Sequence, residues 1–319
     1  ATLYTGDAKD TLASLPAESV QTCVTSPPYW GLRDYGEDGQ LGLEETPEEY
    51  VQKLVEVFRE VRRVLREDGT VWLNIGDSYA NSTGSGPQGS TGDRATRTYT
   101  ASEATRKMGQ NLKEKDLTMI PSRVAMALQE DGWWVRSRIV WAKGNPMPES
   151  VTDRPTSSHE YIFLLSKQKQ YFYDADAVAE ESITGDTRKP YAPGRVDHRG
   201  NGHDRGGGEE QDRDGSTRNK RDVWQVNTKP FPDAHFAVYP PELIEPCVKA
   251  GSAERDTVLD PFSGAGTTGV VALAKGRDYI GIDLSRDYNE MAADRIRQDA
   301  PLLNTVNIRQ ADIFGVWWW

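Results

Sequence analysis

The sequence predicts an α/β fold with a largely parallel sheet, and three observations support this prediction. Short apolar segments alternate with segments of helical periodicity, which is typical of sheets covered by helices. A glycine-rich turn at 264–269 lies between an apolar segment and a helical one. The apolar segment 20–25 runs almost directly into Pro27 and Pro28, which end a strand and stiffen the following turn. The 319 residues suffice for one large domain or two small ones.

The clearest local element is a helix that begins at Pro47. Thr46 and Glu49 form the pattern of a capping box around that proline, and apolar side chains then recur every three or four residues. The pair Asp68-Gly69 predicts the end of this helix. The same criteria predict the other elements of the first half, which are strands at 2–5, 20–25, 70–75 and 133–141 and helices at 8–15 and 121–128.

The second half repeats this alternation around the glycine-rich turn. Its predicted strands are 257–260, 279–282 and 306–308, and its predicted helices are 241–248, 267–274 and 288–297. Two segments rich in Gly, Ser, Thr and charged residues, 81–116 and 183–222, have no apolar period and are predicted to be mobile loops. Both carry more basic than acidic residues in a chain of net charge −11. They are therefore candidates to contact a polyanion.

The composition excludes several classes of protein. Hydrophobic residues make up 36% and charged residues 27%, and no apolar run approaches the roughly 18 residues of a membrane span. The two cysteines and four scattered histidines lack the spacing of a metal site. No signal-like segment begins the sequence, so a cytoplasmic protein without membrane or metal is expected. The excess of acid, with 13 Lys among 38 basic residues, fits either a surface adapted to concentrated salt or an ordinary acidic protein.

The glycine-rich turn has the spacing of a nucleotide-binding loop. Gly264 and Gly266 let the backbone approach a ligand and leave the N–H groups of the next helix facing it. Asp283 ends the following strand, where a carboxylate can accept hydrogen bonds from both hydroxyls of a ribose. The pattern indicates an adenosine-containing ligand, and by itself it fits a nicotinamide cofactor as well as S-adenosylmethionine.

The turn after the strand at 20–25 suits the methylation of an exocyclic amino group. The lone pair of such a nitrogen is delocalised into the base, so a site has to accept hydrogen bonds from the NH₂ group to make it nucleophilic. The Ser26 hydroxyl and the Pro27 carbonyl are suitable acceptors, and Pro28 keeps the turn rigid. Tyr29 offers a ring on which a base flipped out of a duplex can stack.

TSPPYW at 25–30 together with DPFSGAG at 260–266 resembles the DNA amino-methyltransferases, specifically the permuted β-group, in which the catalytic half comes first. The likeness covers most of the chain outside the two loops. It implies a Rossmann-like S-adenosylmethionine-dependent methyltransferase fold, double-stranded DNA as the partner and a restriction-modification setting. It divides the chain into a catalytic half at 1–165, a target-recognition insertion at 166–222 and a cofactor-binding half at 223–319.

The resemblance also implies which residues form each site, and no metal is among their ligands. The catalytic residues are Ser26, Pro27, Pro28 and Tyr29. The residues at the cofactor are Asp7, His235, Phe236, Asp260, Pro261, Phe262, Ser263, Gly264, Gly266, Thr267 and Asp283. Asp7 is expected beside the cofactor adenine, with Asp312 as the alternative. The candidate DNA contacts are Trp30, Arg94, Arg97, Arg188, Arg195 and Arg199.

Serine in the first position of the catalytic tetrapeptide is the form usual with cytosine N4, whereas aspartate is usual with adenine N6. The expected reaction is therefore transfer of a methyl group from S-adenosylmethionine to cytosine N4 in duplex DNA, by base flipping and direct in-line transfer. Adenine N6 is the alternative within the same group. The oligomeric state stays open between a monomer and a homodimer.

Three other activities compete with this interpretation. A cytosine-C5 methyltransferase needs a thiolate after a proline, and Pro246-Cys247 offers that dipeptide, although a buried, inert cysteine is expected there. A nicotinamide-dependent oxidoreductase shares the glycine-rich turn but leaves TSPPYW unexplained. A catalytically silent DNA-binding protein is disfavoured because Ser26, Tyr29, Asp260 and Asp283 are all present.

Overall fold

A computed structural model describes residues 1–32, 36–80, 112–181, 217–229, 238–300 and 305–311. Its strands are β1 (Thr2–Thr5), β2 (Val20–Thr25), β3 (Leu65–Ile75), β4 (Trp134–Ala142), β5 (His159–Ser166), β6 (Glu180–Glu181), β7 (Thr217–Arg218), β8 (Val223–Gln225), β9 (Thr257–Asp260), β10 (Asp278–Asp283) and β11 (Asn307–Gln310). Its helices are α1 (Ala8–Ser14), α2 (Pro47–Val64), α3 (Ile120–Glu130), α4 (Pro241–Gly251), α5 (Thr267–Ala274) and α6 (Arg286–Asp299).

Nine of these strands form one sheet in the order β11-β1-β10-β9-β2-β3-β5-β4-β8. All neighbouring pairs are parallel except the two that involve β5, so β5 alone runs against the others. The α/β fold with a largely parallel sheet is thereby confirmed. Strands from the two ends of the sequence are neighbours in the sheet, because β9 and β10 lie between β1 and β2. The carboxyl ends of these four strands consequently meet at one edge.

Helices cover both faces of the sheet. Apolar side chains of α1, α2 and α3 form a core on one face, around fully buried residues such as Tyr50 and Phe58. Apolar side chains of α4, α5 and α6 form a second core on the other face, around Leu243 and Ile296. Because both faces are covered, the central strand β2 is buried at all six positions.

Most predicted elements are confirmed, and three strands and one helix have the predicted bounds: 2–5, 20–25, 257–260 and 267–274. The N-terminus of α2 is capped as predicted, since the Thr46 hydroxyl accepts a hydrogen bond from Glu49 N at 3.2 Å. The Glu49 carboxylate, however, accepts from Glu45 N rather than from Thr46 N, which is the partner in a capping box.

The predicted end of α2 at Asp68-Gly69 is wrong. The helix ends at Val64, and Leu65, which has an extended backbone, already pairs with Val20 of β2. The pairing then slips, because β2 advances from Val20 to Thr22 while β3 advances from Leu65 to Thr70. The Asp-Gly signal therefore marks an irregularity within β3. A buried leucine that can pair with β2 outweighs the local helical preference of this segment.

The residues that flank 182–216 are joined by a short ribbon. Strand β6 pairs antiparallel with β7, so that Glu180 lies opposite Arg218. The Glu180 carboxylate is within 4.0 Å of three cations, Arg218, Lys220 and Arg221. The predicted loops themselves lie outside the described residues over 81–111 and 182–216. The division of the chain into two halves and a recognition insertion stays a prediction.

Two further features concern only the part of the chain that the structure describes. Within it, no helix has both the length and the apolar character that crossing a bilayer requires. Nor does it contain a group of three or more His, Cys, Asp or Glu side chains arranged to hold a metal ion.

Candidate active site

A pocket of about 300 Å³ opens at the edge of the sheet where β1, β2, β9 and β10 end. Predicted site residues contribute much of its wall: Asp7, Ser26, Pro27, Pro28, Tyr29, Pro261, Phe262, Ser263, Gly264, Thr267 and Asp283. Residues predicted for two different roles, and separated by more than 200 positions in the sequence, therefore face one shared space. The pocket has two chemically distinct corners, one around Asp283 and one around Ser26.

The first corner is built from the glycine-rich turn and the end of β10. Asp283 Oδ2 accepts a hydrogen bond from Gly264 N at 2.8 Å, and Asp283 Oδ1 accepts one from Ser285 N at 2.9 Å. Burial raises the pKa of Asp283 to about 6, although the two backbone donors oppose this rise. A side chain added at Gly264 would meet no atom within 4 Å, so the turn leaves open space in front of the carboxylate.

Asp260 and Gly266, both predicted to face a cofactor, do not line the pocket. Asp260 is completely buried and accepts hydrogen bonds from the Thr25 hydroxyl at 2.6 Å and the Thr268 hydroxyl at 2.7 Å. Burial raises its pKa, and these donors oppose the rise. This carboxylate joins β2 to β9 and thereby fixes the two turns relative to each other. A Cβ at Gly266 would lie 2.6 Å from Ala292 Cβ, so the glycine allows close packing of α5 on α6.

The second corner is built from the turn that follows β2. The Tyr29 hydroxyl lies 3.5 Å from Ser26 Oγ and donates to Glu160 Oε2 at 2.6 Å. Burial and the Glu160 carboxylate both raise the pKa of the Tyr29 phenol, which keeps it a neutral hydrogen-bond donor. The Tyr50 hydroxyl donates to the Pro28 carbonyl at 2.7 Å and anchors the diproline turn to α2. The turn is therefore held from both sides.

Several polar side chains that no sequence pattern had singled out also lie in this corner. Asn74, at the end of β3, donates to Glu160 Oε2 at 3.2 Å, and Lys143 forms an ion pair with Glu160 Oε1. All three side chains line the pocket. The signal that could have found them is a polar residue within an otherwise apolar strand, as Asn74 stands in VWLNI and Glu160 in HEYIFLL.

Trp30 was predicted to contact DNA, and the structure contradicts this. Its side chain is 7% exposed, and its indole Nε1 donates to the Glu44 carbonyl at 3.0 Å. The ring packs in the apolar core on the face of the sheet covered by α1, α2 and α3, and this burial keeps it from the surface. Trp30 therefore packs behind the turn that follows β2.

The structure leaves several predicted residues untested. His235, Phe236, Arg94, Arg97, Arg188, Arg195, Arg199 and Asp312 lie outside the described residues. Asp7 is described: it lines the pocket and caps α1, accepting a hydrogen bond from Asp10 N at 3.0 Å. Strand β11, which precedes Asp312, pairs with the outer side of β1. Asp7 thus follows the strand that lies nearer the centre of the sheet.

Neither cysteine has the surroundings of a nucleophile. Cys247 is 1% exposed within α4, and its thiol points to the Leu243 carbonyl at 3.9 Å. Burial raises the pKa of Cys247 far above its ordinary value, and the pKa of Cys23 is raised in the same way. Because only the thiolate attacks carbon, the thiol of Pro246-Cys247 cannot serve a cytosine-C5 mechanism in this position.

Gly76 offers a test of the Tyr29 geometry. A Cβ at this position would lie 2.6 Å from Tyr29 Cε2, a contact that requires the ring to move. Gly76→Ala should therefore slow turnover markedly while leaving ligand binding in the Asp283 corner unchanged. Steady-state kinetics and calorimetric titration on the same preparation check this. Wild-type turnover in Gly76→Ala would show that turnover does not depend on the position of the Tyr29 ring.

Comparisons with known proteins agree with this geometry. The profile of the DNA methylase family N6_N4_Mtase matches residues 20–294. The Type II methyltransferase M.Cfr9I of Citrobacter freundii is 47% identical over 303 residues, which covers 93% of this chain and 88% of that protein.

Two solved structures share the fold. TTHA0409, described as a DNA modification methylase of Thermus thermophilus and solved with S-adenosyl-L-methionine, has a TM-score of 0.61 at 24% identity, covering 97% of this chain and 98% of its own. The PvuII DNA methyltransferase, described as cytosine-N4-specific, has a TM-score of 0.62 at 17% identity, covering 96% and 94%. The chain therefore belongs to the N6_N4 family of DNA methylases, and its cofactor is S-adenosylmethionine.

Proposed function

We propose that this DNA methylase transfers a methyl group to the exocyclic N4 of a cytosine flipped out of duplex DNA at a specific site. The observation that carries the proposal is that the Ser26 corner and the Asp283 corner open into a single pocket. A methyl donor held in one corner is then within reach of an amino group held in the other. Adenine N6 is the second candidate, because either base presents an NH₂ group to Ser26.

In the proposed complex, S-adenosylmethionine occupies the corner formed by Asp283, Gly264 and Phe262, and its sulfonium supplies the methyl group. Each Asp283 oxygen accepts only one hydrogen bond from the protein in the described residues, so lone pairs remain for two ribose hydroxyls. The open space in front of Gly264 admits a ligand close to the backbone. We assign Asp7 to the adenine end of this corner. These residues fit a bound adenosine.

The target base occupies the second corner. The Tyr29 ring, backed by Gly76, offers its free face for stacking, and base–aromatic stacking contributes about 1–3 kcal/mol per base. The Ser26 hydroxyl and the Pro27 carbonyl accept the two amino hydrogens and direct the nitrogen lone pair toward the methyl group. Positioning of this kind lowers the barrier without a covalent intermediate.

Two further assignments belong to the proposal. The segment 166–222 reads the DNA sequence, and within it β6 pairs with β7 on either side of residues 182–216. The arginines at 94, 97, 188, 195 and 199 contact DNA phosphates or base edges. Because phosphate contacts release counterions, DNA binding should weaken steeply as salt increases.

Digestion of methylated DNA to nucleosides tests the assignment of the base. The protein is incubated with S-adenosylmethionine and unmethylated DNA at several salt concentrations, and the nucleosides are separated and identified by mass spectrometry. N4-methylcytosine is the expected product. N6-methyladenine would keep the mechanism and change the base. The absence of any methylated base, with measurable cofactor binding, would indicate a DNA-binding protein without catalysis.

The affinity for S-adenosylmethionine should depend on pH through Asp283. Its pKa is raised to about 6, and ribose hydroxyls form stronger, charge-assisted hydrogen bonds with the carboxylate than with the neutral acid, so binding favours the ionised form. The dissociation constant should be constant above pH 7 and rise as the pH falls through 6, reaching roughly tenfold at pH 5. Calorimetric titration across pH 5–8 measures this. The matched variant Asp283→Asn should show a flat profile, and a flat wild-type profile would remove Asp283 from the ribose.

A further inference from the structure

We infer that Glu160 is the charged end of a hydrogen-bond chain that carries the amino proton away from the target base through Ser26 and Tyr29. This inference rests on the proposed function, because it concerns the same pocket and the same amino group. It adds a role for a carboxylate that does not itself touch the base. Glu160 is thus a positioning residue for the Ser26–Tyr29 pair.

The chain runs in one direction through three side chains. Ser26 Oγ donates toward the Tyr29 hydroxyl at 3.5 Å, which is long for a hydrogen bond. The Tyr29 hydroxyl, with a single proton, donates to Glu160 Oε2 at 2.6 Å rather than to Asn74 Oδ1 at 3.3 Å. Hydrogen bonds in ligand-free active sites are commonly long and shorten in the complex. Binding of the target base to Ser26 forms such a complex, in which the hydrogen bond from Ser26 to Tyr29 is expected to shorten.

Glu160 is held in place by two further partners. Lys143 forms an ion pair with Oε1, and Asn74 Nδ2 donates to Oε2 at 3.2 Å. Lys143 also lies over the Trp141 ring, 4.5 Å from its centroid. The side chains of Lys143 and Glu160 are only 20% and 15% exposed. Both oxygens of the carboxylate are therefore engaged, and its orientation toward Tyr29 is determined.

The cost of burying this pair makes a purely structural role a poor explanation. Removing two charges from water costs several kcal/mol per ion before their attraction is counted, and apolar residues of similar size often stabilise a protein as well or better. The Lys143–Glu160 pair nevertheless lines the pocket, and only the Tyr29 hydroxyl lies between Glu160 and Ser26. Within this pair it is the carboxylate, not the ammonium group, that bonds the Tyr29 hydroxyl, so the negative end of the pair faces the Ser26–Tyr29 pair.

The proposed step balances in atoms and electrons. The amino nitrogen forms a bond to the methyl carbon, the bond from that carbon to sulfur breaks, and its electron pair remains on sulfur. The nitrogen then carries one proton too many and passes it to Ser26 Oγ. Ser26 passes its own proton to the Tyr29 oxygen, and Tyr29 passes its proton to Glu160. Glu160 ends neutral and releases the proton to solvent after the product leaves.

Three variants test this chain in single-turnover methylation with saturating DNA and cofactor. Glu160→Gln keeps an acceptor for Tyr29 but removes the charge, and Tyr29→Phe removes the link. Each should slow methyl transfer by about 10- to 100-fold without changing the KM for DNA or the affinity for S-adenosylmethionine. Glu149→Gln is the matched control, because Glu149 forms a similarly half-buried ion pair with Arg154 away from the pocket. Its rate should equal that of the wild type.

The double variant decides between a chain and independent effects. If Glu160 acts through Tyr29, the variant with both substitutions should be no slower than the slower single variant. The wild type should also show a solvent deuterium isotope effect that Glu160→Gln loses. Multiplicative losses in the double variant, or a wild-type rate in Glu160→Gln, would overturn the chain. Neither result would affect the proposed function, which fails only if the wild type forms no methylcytosine.

Discussion

Replacing Ser26 by alanine should lower the rate of methyl transfer by roughly 10²–10³-fold, the largest effect expected of any single substitution in this protein. Ser26 stands at the carboxyl end of β2 and lines the pocket beside Tyr29. Its hydroxyl is the proposed acceptor for one amino hydrogen, and alanine leaves that hydrogen without a partner in a partly desolvated site. The nitrogen lone pair then stays delocalised in the base.

The measurement separates chemistry from binding. Single-turnover rates report methyl transfer, and calorimetric titration reports affinity for S-adenosylmethionine, which Ser26→Ala should leave unchanged because Ser26 lies in the other corner of the pocket. Ser14→Ala is a suitable control, since that hydroxyl only bonds the Thr11 carbonyl at the end of α1. An equal loss of cofactor affinity in Ser26→Ala would contradict the assignment of two separate corners.

Replacing Asp283 by alanine should weaken S-adenosylmethionine binding by roughly 100-fold. The variant removes the proposed acceptor of the ribose hydroxyls, and charge-assisted hydrogen bonds contribute about 1.5–3 kcal/mol each. It also leaves Gly264 N and Ser285 N without their acceptor. The glycine-rich turn then loses the bond that ties it to β10, so part of the loss comes from a less ordered turn.

Two variants of the same strand identify the source of this loss. Asp283→Asn keeps an oxygen for one backbone donor, so its affinity should lie between those of Asp283→Ala and the wild type. Asp278, at the opposite and exposed end of β10, is the matched control, and Asp278→Ala should bind the cofactor normally. At saturating cofactor, Asp283→Ala should regain most of its rate. A large rate defect that persists at saturation would place Asp283 in the chemistry instead.

Local patterns in the sequence predicted much of this site because its residues stand at the ends of strands. The segments 20–25 and 257–260 are apolar and are followed closely by prolines, and both form strands with the predicted bounds. Residues that immediately follow such strands in a parallel sheet reach the same edge whatever the rest of the fold does. Ser26 and Gly264, predicted for the catalytic and the cofactor site, consequently line one pocket, and their roles stay predictions.

Residues whose surroundings depend on partners far away in the sequence could not be placed from local patterns. Asp260 and Thr25 are 235 positions apart, and only the pairing of β2 with β9 brings the carboxylate to that hydroxyl. Trp30 follows the catalytic tetrapeptide, but packing beneath the turn buries it. Glu160 enters the pocket because β5 runs antiparallel to β3, which places the start of β5 beside the end of β3.

The class of fold, the two turns that line the pocket and the family resemblance could all be inferred from the amino-acid sequence, because strand alternation, proline positions and glycine spacing are properties of short segments. Which polar side chains face the pocket, and which are buried beneath it, followed only from the folded arrangement. Whether a polar side chain faces the pocket or is buried depends on the order and direction of the strands. That order is set by many small free energies of packing and hydrogen bonding, summed over the whole sheet. Asp260 and Asp283 both end strands of the same half of the chain, yet Asp260 is completely buried and Asp283 lines the pocket.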